Sequence, residues 1–130
     1  MIDLLPLHVR MAHPLTIKER IWANGRQVLR VDIENIEKPN KVLEDEWFDR
    51  ICSVLNKKQI SCVIFSDYDK GTLTDNLIQR ITDVCNQDNI PTILDPKRPS
   101  FYKLKNLTLI KPNVREINST NFEPFEVSRK

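Results

Sequence analysis

Glycine is scarce in this sequence. Its 130 residues contain only Gly25 and Gly71, where average usage of about 7% would give roughly nine. A dinucleotide-binding fingerprint needs three glycines within six positions, and a Walker A loop needs two at fixed spacing before its lysine. Neither can be written here, so a phosphate cradle of glycine amides is excluded from this sequence. Cysteine is also sparse: Cys52, Cys62 and Cys85 form no CxxC pair and leave an odd count. Each sits in an apolar pattern, so buried free thiols in a reducing cytoplasm are expected. The amino end, Met1-Ile2-Asp3, has no basic stretch that would open a signal peptide. No apolar run approaches the length of a membrane span. Charge of one sign is lacking too. The 20 basic and 18 acidic residues are interleaved and leave +2, so neither nucleic acid nor membrane is an expected partner. Cytoplasmic localisation is the expectation.

What is present begins with a hairpin. Two β-rich runs, Thr16 to Trp22 and Gln27 to Ile33, flank Ala23-Asn24-Gly25-Arg26, and Asn-Gly between such runs is the strongest short hairpin signal. A plain two-residue turn sets Trp22 opposite Gln27, Ile21 opposite Val28 and Glu19 opposite Arg30. One face then carries Ile17, Glu19, Ile21, Val28, Arg30 and Asp32, and the other Lys18, Arg20, Trp22, Gln27, Leu29 and Val31. Both faces are mixed, and a two-stranded ribbon alone is marginal in water. The ribbon is either a solvated edge or a lid or interface that rests on a ligand, a partner or the rest of the domain.

From Pro39-Asn40 onward the period becomes helical. Leu43, Trp47, Phe48, Ile51, Val54 and Leu55 predict an amphipathic helix over 41–57. Ile60 to Phe65 reads as a buried parallel strand. Leu73, Leu77, Ile78, Ile81 and Val84 predict a second helix capped by Thr72 or Thr74. Ile90 to Leu94 and Leu107 to Ile110 read as further strands. This alternation predicts an α/β fold with a doubly wound parallel sheet.

Ligands of open α/β sheets bind outside the carboxyl ends of the strands. The three expected ends carry Ser66-Asp67-Tyr68-Asp69-Lys70-Gly71, then Asp95-Pro96-Lys97, then Lys111-Pro112-Asn113 with Glu116 beyond. Lysines suit phosphate, whereas carboxylates and asparagine suit hydroxyls or hydrated magnesium. Together they point to a phosphorylated ligand with a metal ion. Taken singly, Asp67 and Asp95 can equally start turns. Glu116 can complement a helix dipole after Pro112, and Lys70 and Lys97 can be solvated charges.

The sequence resembles the ribokinase-like (PfkB) carbohydrate kinases, and within them the heptose 7-phosphate kinases of lipopolysaccharide heptose synthesis. The stretches that carry the resemblance are HPLTIKERIWANGRQVLRVDIE, VIFSDYDKGTL and IPTILDPKRPSFYKLKNLTLIKPNVRE. They span about residues 13–117, in the order SDYxKG, DPK, PNxxE. The resemblance implies one partial ribokinase-like kinase domain over 1–130, with a β-hairpin lid at 14–34, a βα core segment at 41–117 and a divergent tail at 118–130. It implies ATP and magnesium as cofactors and a sugar phosphate, phosphorylated on its anomeric hydroxyl, as substrate. Asn113 and Glu116 then serve nucleotide and magnesium, without direct metal ligation being assigned, and Asp95 and Lys97 lie at the phosphate-transfer region. Asp67, Tyr68, Lys70 and Gly71 line the edge of the substrate pocket. Trp22, Arg30 and Asp32 belong to the lid, which in such kinases covers the sugar and often joins two subunits, so a homodimer or a complementing kinase fragment is the implied partner.

Two departures accompany the resemblance. Neither the sugar-binding Gly-Gly-Ala-x-Asn segment nor the Gly-Ala-Gly-Asp segment, which supplies base and anion hole, is written in this sequence. The expectation is therefore a chain inactive alone, with self-association or marginal folding. The alternative is a non-catalytic ligand-binding or dimerisation module derived from such a kinase. Asp69 and Arg98 also stand where these kinases usually carry small residues or glycine.

Overall fold

A computed structural model of the chain describes residues 16–34, 36–57 and 59–118. The expected tail, apart from Asn118, and the first two positions of the expected lid lie outside the described residues. The hairpin forms from β1 (Ile17–Ala23) and β2 (Arg26–Ile33). Asn24 and Gly25 both take positive φ, 52° and 72°, as a type I′ turn demands.

The register differs from a plain hairpin. Trp22 faces Gln27 as expected, but the ladder shifts between Ile21 and Trp22, so Ile21 faces Leu29 and Glu19 faces Val31. One extra residue on β2 moves every side chain beyond it to the other face. Ile17, Ile21, Leu29, Val31 and Ile33 therefore share one face with Glu19, while Lys18, Arg20, Arg30 and Asp32 share the other. The expected mixed faces and the Glu19–Arg30 pair are corrected. Arg30 instead forks onto Asp32 along its own strand, at 2.8 and 2.5 Å. That hydrogen bond holds the Asp32 carboxyl below its ordinary range and the Arg30 guanidinium above its own. The bulge turns a patternless ribbon into an amphipathic one, and its apolar residues are exposed.

The rest of the chain forms α1 (Lys41–Lys57), β3 (Val63–Ser66), α2 (Asp75–Gln87), β4 (Thr92–Asp95), a 3₁₀ turn at Pro99–Lys103, β5 (Leu109–Ile110) and α3 (Val114–Asn118). Asn40 caps α1 by accepting from the Leu43 amide at 2.9 Å. Of the two threonines proposed for α2, Thr74 is the cap, accepting from the Leu77 amide at 3.0 Å, which leaves Leu73 outside the helix. The other end of α2 closes with Asn89 at φ 55° and the Ile90 amide reaching back to the Cys85 carbonyl at 2.8 Å. This is a Schellman stop in which asparagine takes the place of the usual glycine.

The strands pair in the order β3-β4-β5, all parallel, with Ile64 beside Ile93 and Ile93 beside Leu109. Each begins two or three residues later than its apolar run. Phe65 and Leu94 join Trp47 and Leu55 of α1 and Leu77, Ile78, Ile81 and Cys85 of α2 in one core. Both helices thus cover the same face of the sheet. They are tied to each other by Glu44, a buried carboxylate that accepts from Thr74 and Asn76. Arg80 adds an ion pair to Asp45 at 2.5 Å and lies 3.9 Å from the Phe48 ring centre.

All three cysteines are free. Burial raises the thiols of Cys85 and Cys52 above the ordinary 9.0. Below the unfolded pKa both states keep the proton and nothing is lost, whereas above it the unfolded state sheds its proton first, so stability falls until pH has passed the raised folded value. Urea midpoints are therefore expected to fall above about pH 9. Cys85, the fully buried one, should be the last of the three to take up iodoacetamide in a mass-spectrometric time course. Labelling of Cys85 ahead of Cys62 would contradict this packing.

Candidate functional site

The carboxyl ends of the parallel strands are laced together by the backbone. The Asp67 amide donates to the Asp95 carbonyl at 3.0 Å, and the Lys111 amide to the Leu94 carbonyl at 2.9 Å. The three loops that leave these strands therefore start from one edge, and six of the expected residues, Asp67, Tyr68, Lys70, Lys97, Asn113 and Glu116, line two cavities there.

The first cavity, about 510 Å³, is lined by Ser66, Asp67, Tyr68, Lys70, Thr72 and Leu73 from the loop after β3, with Thr16 and Lys18 from the base of the hairpin. Asp67 is buried and already committed. One of its oxygens accepts the Asp69 amide at 2.9 Å and the other accepts Arg98 Nε at 2.8 Å. It shapes the loop, as a turn-starting aspartate does. Lys70 is paired with Glu34, just beyond β2, while Tyr68 is exposed beside the opening. Gly71 has φ 83° and sits directly beneath the Glu37 carbonyl, where a Cβ would have no room. The hairpin is thus fastened to the loop at two successive residues. Thr16, Lys18, Thr72 and Leu73 line this cavity without having been expected there, whereas Gly71, expected at the pocket edge, is not among its lining residues. Lys18 lies on the polar face of the ribbon only in the bulged register.

The second cavity, about 360 Å³, is lined by Lys97, Asn113, Arg115 and Glu116. Asn113 and Glu116 form a reciprocal capping box. Asn113 Oδ1 accepts the Glu116 amide at 3.0 Å, Glu116 Oε2 accepts the Asn113 amide at 2.7 Å, and Asn113 Nδ2 donates to Glu116 Oε1 at 2.5 Å. Lys97 Nζ donates to the same Oε1 at 3.3 Å, so DPK and NxxE meet in one cluster. The helix-capping reading and the ligand reading of this motif thus fall on the same atoms. Asp95 lies outside both linings, exposed, with Lys111 at 3.3 Å. Trp22, Arg30 and Asp32 are on the exposed ribbon and line neither cavity.

Arg98 is the other residue whose role the sequence did not disclose. Its guanidinium reaches Asp67, the Leu73 carbonyl and, at 3.4 Å, Asp75. Side-chain exposures of 12% for Arg98 and 4% for Asp67 make this a buried pair. It binds the loops after β3 and β4 to the start of α2. Its only signal in the sequence was its departure from the small residue usual after DPK.

Among the described residues no group of three or more His, Cys, Asp or Glu side chains is placed to hold a metal ion. Nor is any helix of these residues long and apolar enough to cross a membrane.

No family model matches the chain. It is similar to proteins named bifunctional protein HldE. That of Campylobacter curvus is 40% identical over 101 residues, covering 78% of this chain and 21% of the relative. That of Hyphomonas neptunium is 35% identical over 121 residues, 88% of this chain and 24% of the relative. That of Pasteurella multocida is 34% identical over 117 residues, 90% and 23%. The chain spans less than a quarter of the length of these relatives, and over most of its own length it is a homologue of one segment of the HldE proteins.

Proposed function

We propose that this chain is the lid and strand-end segment of a ribokinase-like heptose 7-phosphate kinase domain, acting in the cytoplasm. The observation that supports this best is the pair of cavities at the carboxyl ends of the strands, one lined by Ser66, Asp67, Tyr68 and Lys70 of SDYxKG, the other by Lys97 of DPK with Asn113 and Glu116 of NxxE. In this reading Lys18 and Lys70 attract the anionic sugar phosphate to the first cavity, and Tyr68 borders it. Lys97 serves the transferring phosphate beside the second.

The donor set limits how magnesium and ATP can be held. Both oxygens of Glu116 are occupied within the capping box and by Lys97, and two side chains do not make a metal cage. They do suit magnesium that keeps its waters, as it does when bound by few protein groups and by nucleotide phosphates. When bound, Mg-ATP supplies the phosphoryl group and screens its charge. Asn113 and Glu116 would orient its water shell, while Lys97 would neutralise phosphate oxygens. Asp67 is committed to Arg98 and Glu116 to its cap, so neither serves as general base. The reading takes the base from outside the described residues and assigns this chain to binding and orientation.

The test is titration of the chain, labelled with ¹⁵N, with heptose 7-phosphate and with Mg-ATP. The sugar phosphate is expected to shift the amides of Lys18, Tyr68 and Lys70, and the nucleotide those of Lys97, Asn113 and Arg115. Lys18→Ala should weaken sugar-phosphate binding by about tenfold, the usual scale of one charged contact, with Mg-ATP binding unchanged. Titrations that move neither set would sink the reading.

The exposed apolar face of the ribbon supports a second reading of the same segment, as a dimerisation module. Ile21, Leu29 and Val31 would pack on the same residues of a second copy, an isologous contact. Sedimentation of Leu29→Lys as a monomer and of the parent chain as a dimer is the outcome that favours it.

A further inference from the structure

The tip of the hairpin carries a reactivity that its role as a turn does not use. The nitrogen that follows an asparagine can attack that residue's own Cγ and close a five-membered ring. Such an intramolecular attack is fast once the two atoms reach attack geometry, and a side chain on the following residue stands in its way. The chain has eleven asparagines, and only Asn24 precedes a glycine.

Asn89 and Asn106 supply the contrast. Both take positive φ, 55° and 59° against 52° for Asn24, but isoleucine and leucine follow them. The Ile90 amide donates to the Cys85 carbonyl at 2.8 Å, and the Asn106 carbonyl accepts Asn86 Nδ2 at 3.1 Å. Nothing comparable guards the tip. Asn24 and Gly25 are exposed, and a Cβ on Gly25 would point into open space. Among the described residues no hydrogen bond holds the Asn24 side chain or the Gly25 N–H.

The ring closes from a more open backbone than the left-handed one that a type I′ turn imposes. The bulge decides how readily the turn opens. Of the seven pairs in the ladder, only Trp22–Gln27 and Ala23–Arg26 lie between the turn and the register shift. The other five, from Ile21–Leu29 to Ile17–Ile33, lie beyond it. A block of two pairs on an exposed ribbon opens locally without unfolding the rest.

We propose that Asn24–Gly25 is a self-modification site whose co-reactant is water. The Gly25 nitrogen, having given its proton to hydroxide, bonds to Asn24 Cγ, and the side-chain amide leaves as ammonia with a proton from water. A second water opens the succinimide. Cleavage at the former side-chain carbonyl leaves aspartate, and cleavage at the former backbone carbonyl leaves isoaspartate. Either product places a new carboxylate beside Arg26, and isoaspartate also lengthens the backbone by one carbon. The two-residue turn sets the pairing at the tip, so the added carbon unlocks Trp22–Gln27 and Ala23–Arg26. The five pairs toward Thr16 and Lys18 persist. The site needs only the chain and water, and so stands independently of the kinase reading.

The experiment incubates the freshly prepared full chain at body temperature and mildly alkaline pH. It follows the tryptic peptide Ile21–Arg26 by mass spectrometry, with isoaspartate counted by methyl transfer from an isoaspartyl methyltransferase. Asn24 is expected to convert at least about tenfold faster than Asn89 or Asn106, whose neighbours block attack geometry. Gly25→Ala should slow the conversion by about the same factor. Its left-handed strain favours opening of the turn, so slower conversion there reports the blocked attack itself. In ¹⁵N spectra the converted chain should show moved amides at Trp22, Ala23 and Gln27 and unmoved ones at Lys18 and Val31. Conversion of Asn24 no faster than that of Asn106 overturns the proposal, as does a Gly25→Ala variant that converts at the parent rate. Moved amides along the whole ribbon would overturn the isolation of the tip by the bulge.

Discussion

Arg98→Met is expected to lower the stability of the chain by about 3–5 kcal/mol, the range for breaking a buried ion pair from one side. The arginine is the charge partner of Asp67, which is almost wholly buried. It also donates to the Leu73 carbonyl and approaches Asp75. Without it, Asp67 keeps only the Asp69 amide among the partners described above. The carboxylate must then either remain charged and poorly solvated or take up a proton, and both routes disfavour the folded state. Arg98→Lys should recover part of the loss, because an ammonium restores the charge but lacks the fork that serves three acceptors at once. The decisive comparison is the double variant Asp67→Asn with Arg98→Met, which removes both charges. Its urea midpoint should lie above that of Arg98→Met alone, since replacing a whole buried pair is milder than orphaning half of it. A double variant that merely adds the two single losses would show that the pair is not coupled.

The same residue shows what a sequence can and cannot convey. The 41–57 helix, a threonine cap at position 72 or 74 and the alternation of parallel strands with helices were legible because periodicity and capping are local. The place of the three motifs after the strands was legible, and Lys97 meets Glu116, but SDYxKG lines a separate cavity. The Arg98–Asp67 pair spans 31 positions, and no local rule connects them. The hairpin shows a subtler limit. Asn-Gly fixed the turn and the first pair, but the bulge between Ile21 and Trp22 leaves no mark in composition. One shifted residue was enough to convert an amphipathic ribbon into an apparently mixed one. NxxE was legible as a motif, yet its atoms prove to be those of a helix cap, so spacing alone did not separate cap from ligand site. Glycine scarcity carried more information than the exclusion of phosphate loops. Asn24, Asp69, Asn89 and Asn106 hold positive φ, the left-handed positions that glycine usually fills and that asparagine and aspartate tolerate best. The chain spends its two glycines elsewhere, and only one of them is irreplaceable on steric grounds.

That one is Gly71, and the contrast with Gly25 makes the second large prediction. Both residues have positive φ, 72° and 83°, so alanine at either meets the left-handed penalty of about 1–2 kcal/mol. At Gly25 nothing else follows, because a Cβ there points into open space. At Gly71 the Cβ would run into the Glu37 carbonyl and crowd the Lys38 amide. These are backbone atoms, which cannot swing aside as a side-chain tip can. Either the connector after β2 lifts or the loop after β3 drops. In both cases the neighbouring Lys70–Glu34 ion pair is pulled apart, and Thr16 and Lys18 move relative to Tyr68 across the first cavity. Gly71→Ala is therefore expected to cost at least about 2 kcal/mol more than Gly25→Ala in urea unfolding, on the scale of other sterically forced core changes. It should also abolish the sugar-phosphate shifts at Lys18 and Lys70 while leaving those of Mg-ATP at Lys97 and Asn113. Equal losses for the two alanine variants would mean that the hairpin is not fastened at Gly71. The first cavity would then have no fixed wall on its ribbon side, and Lys18 would have no defined place in it.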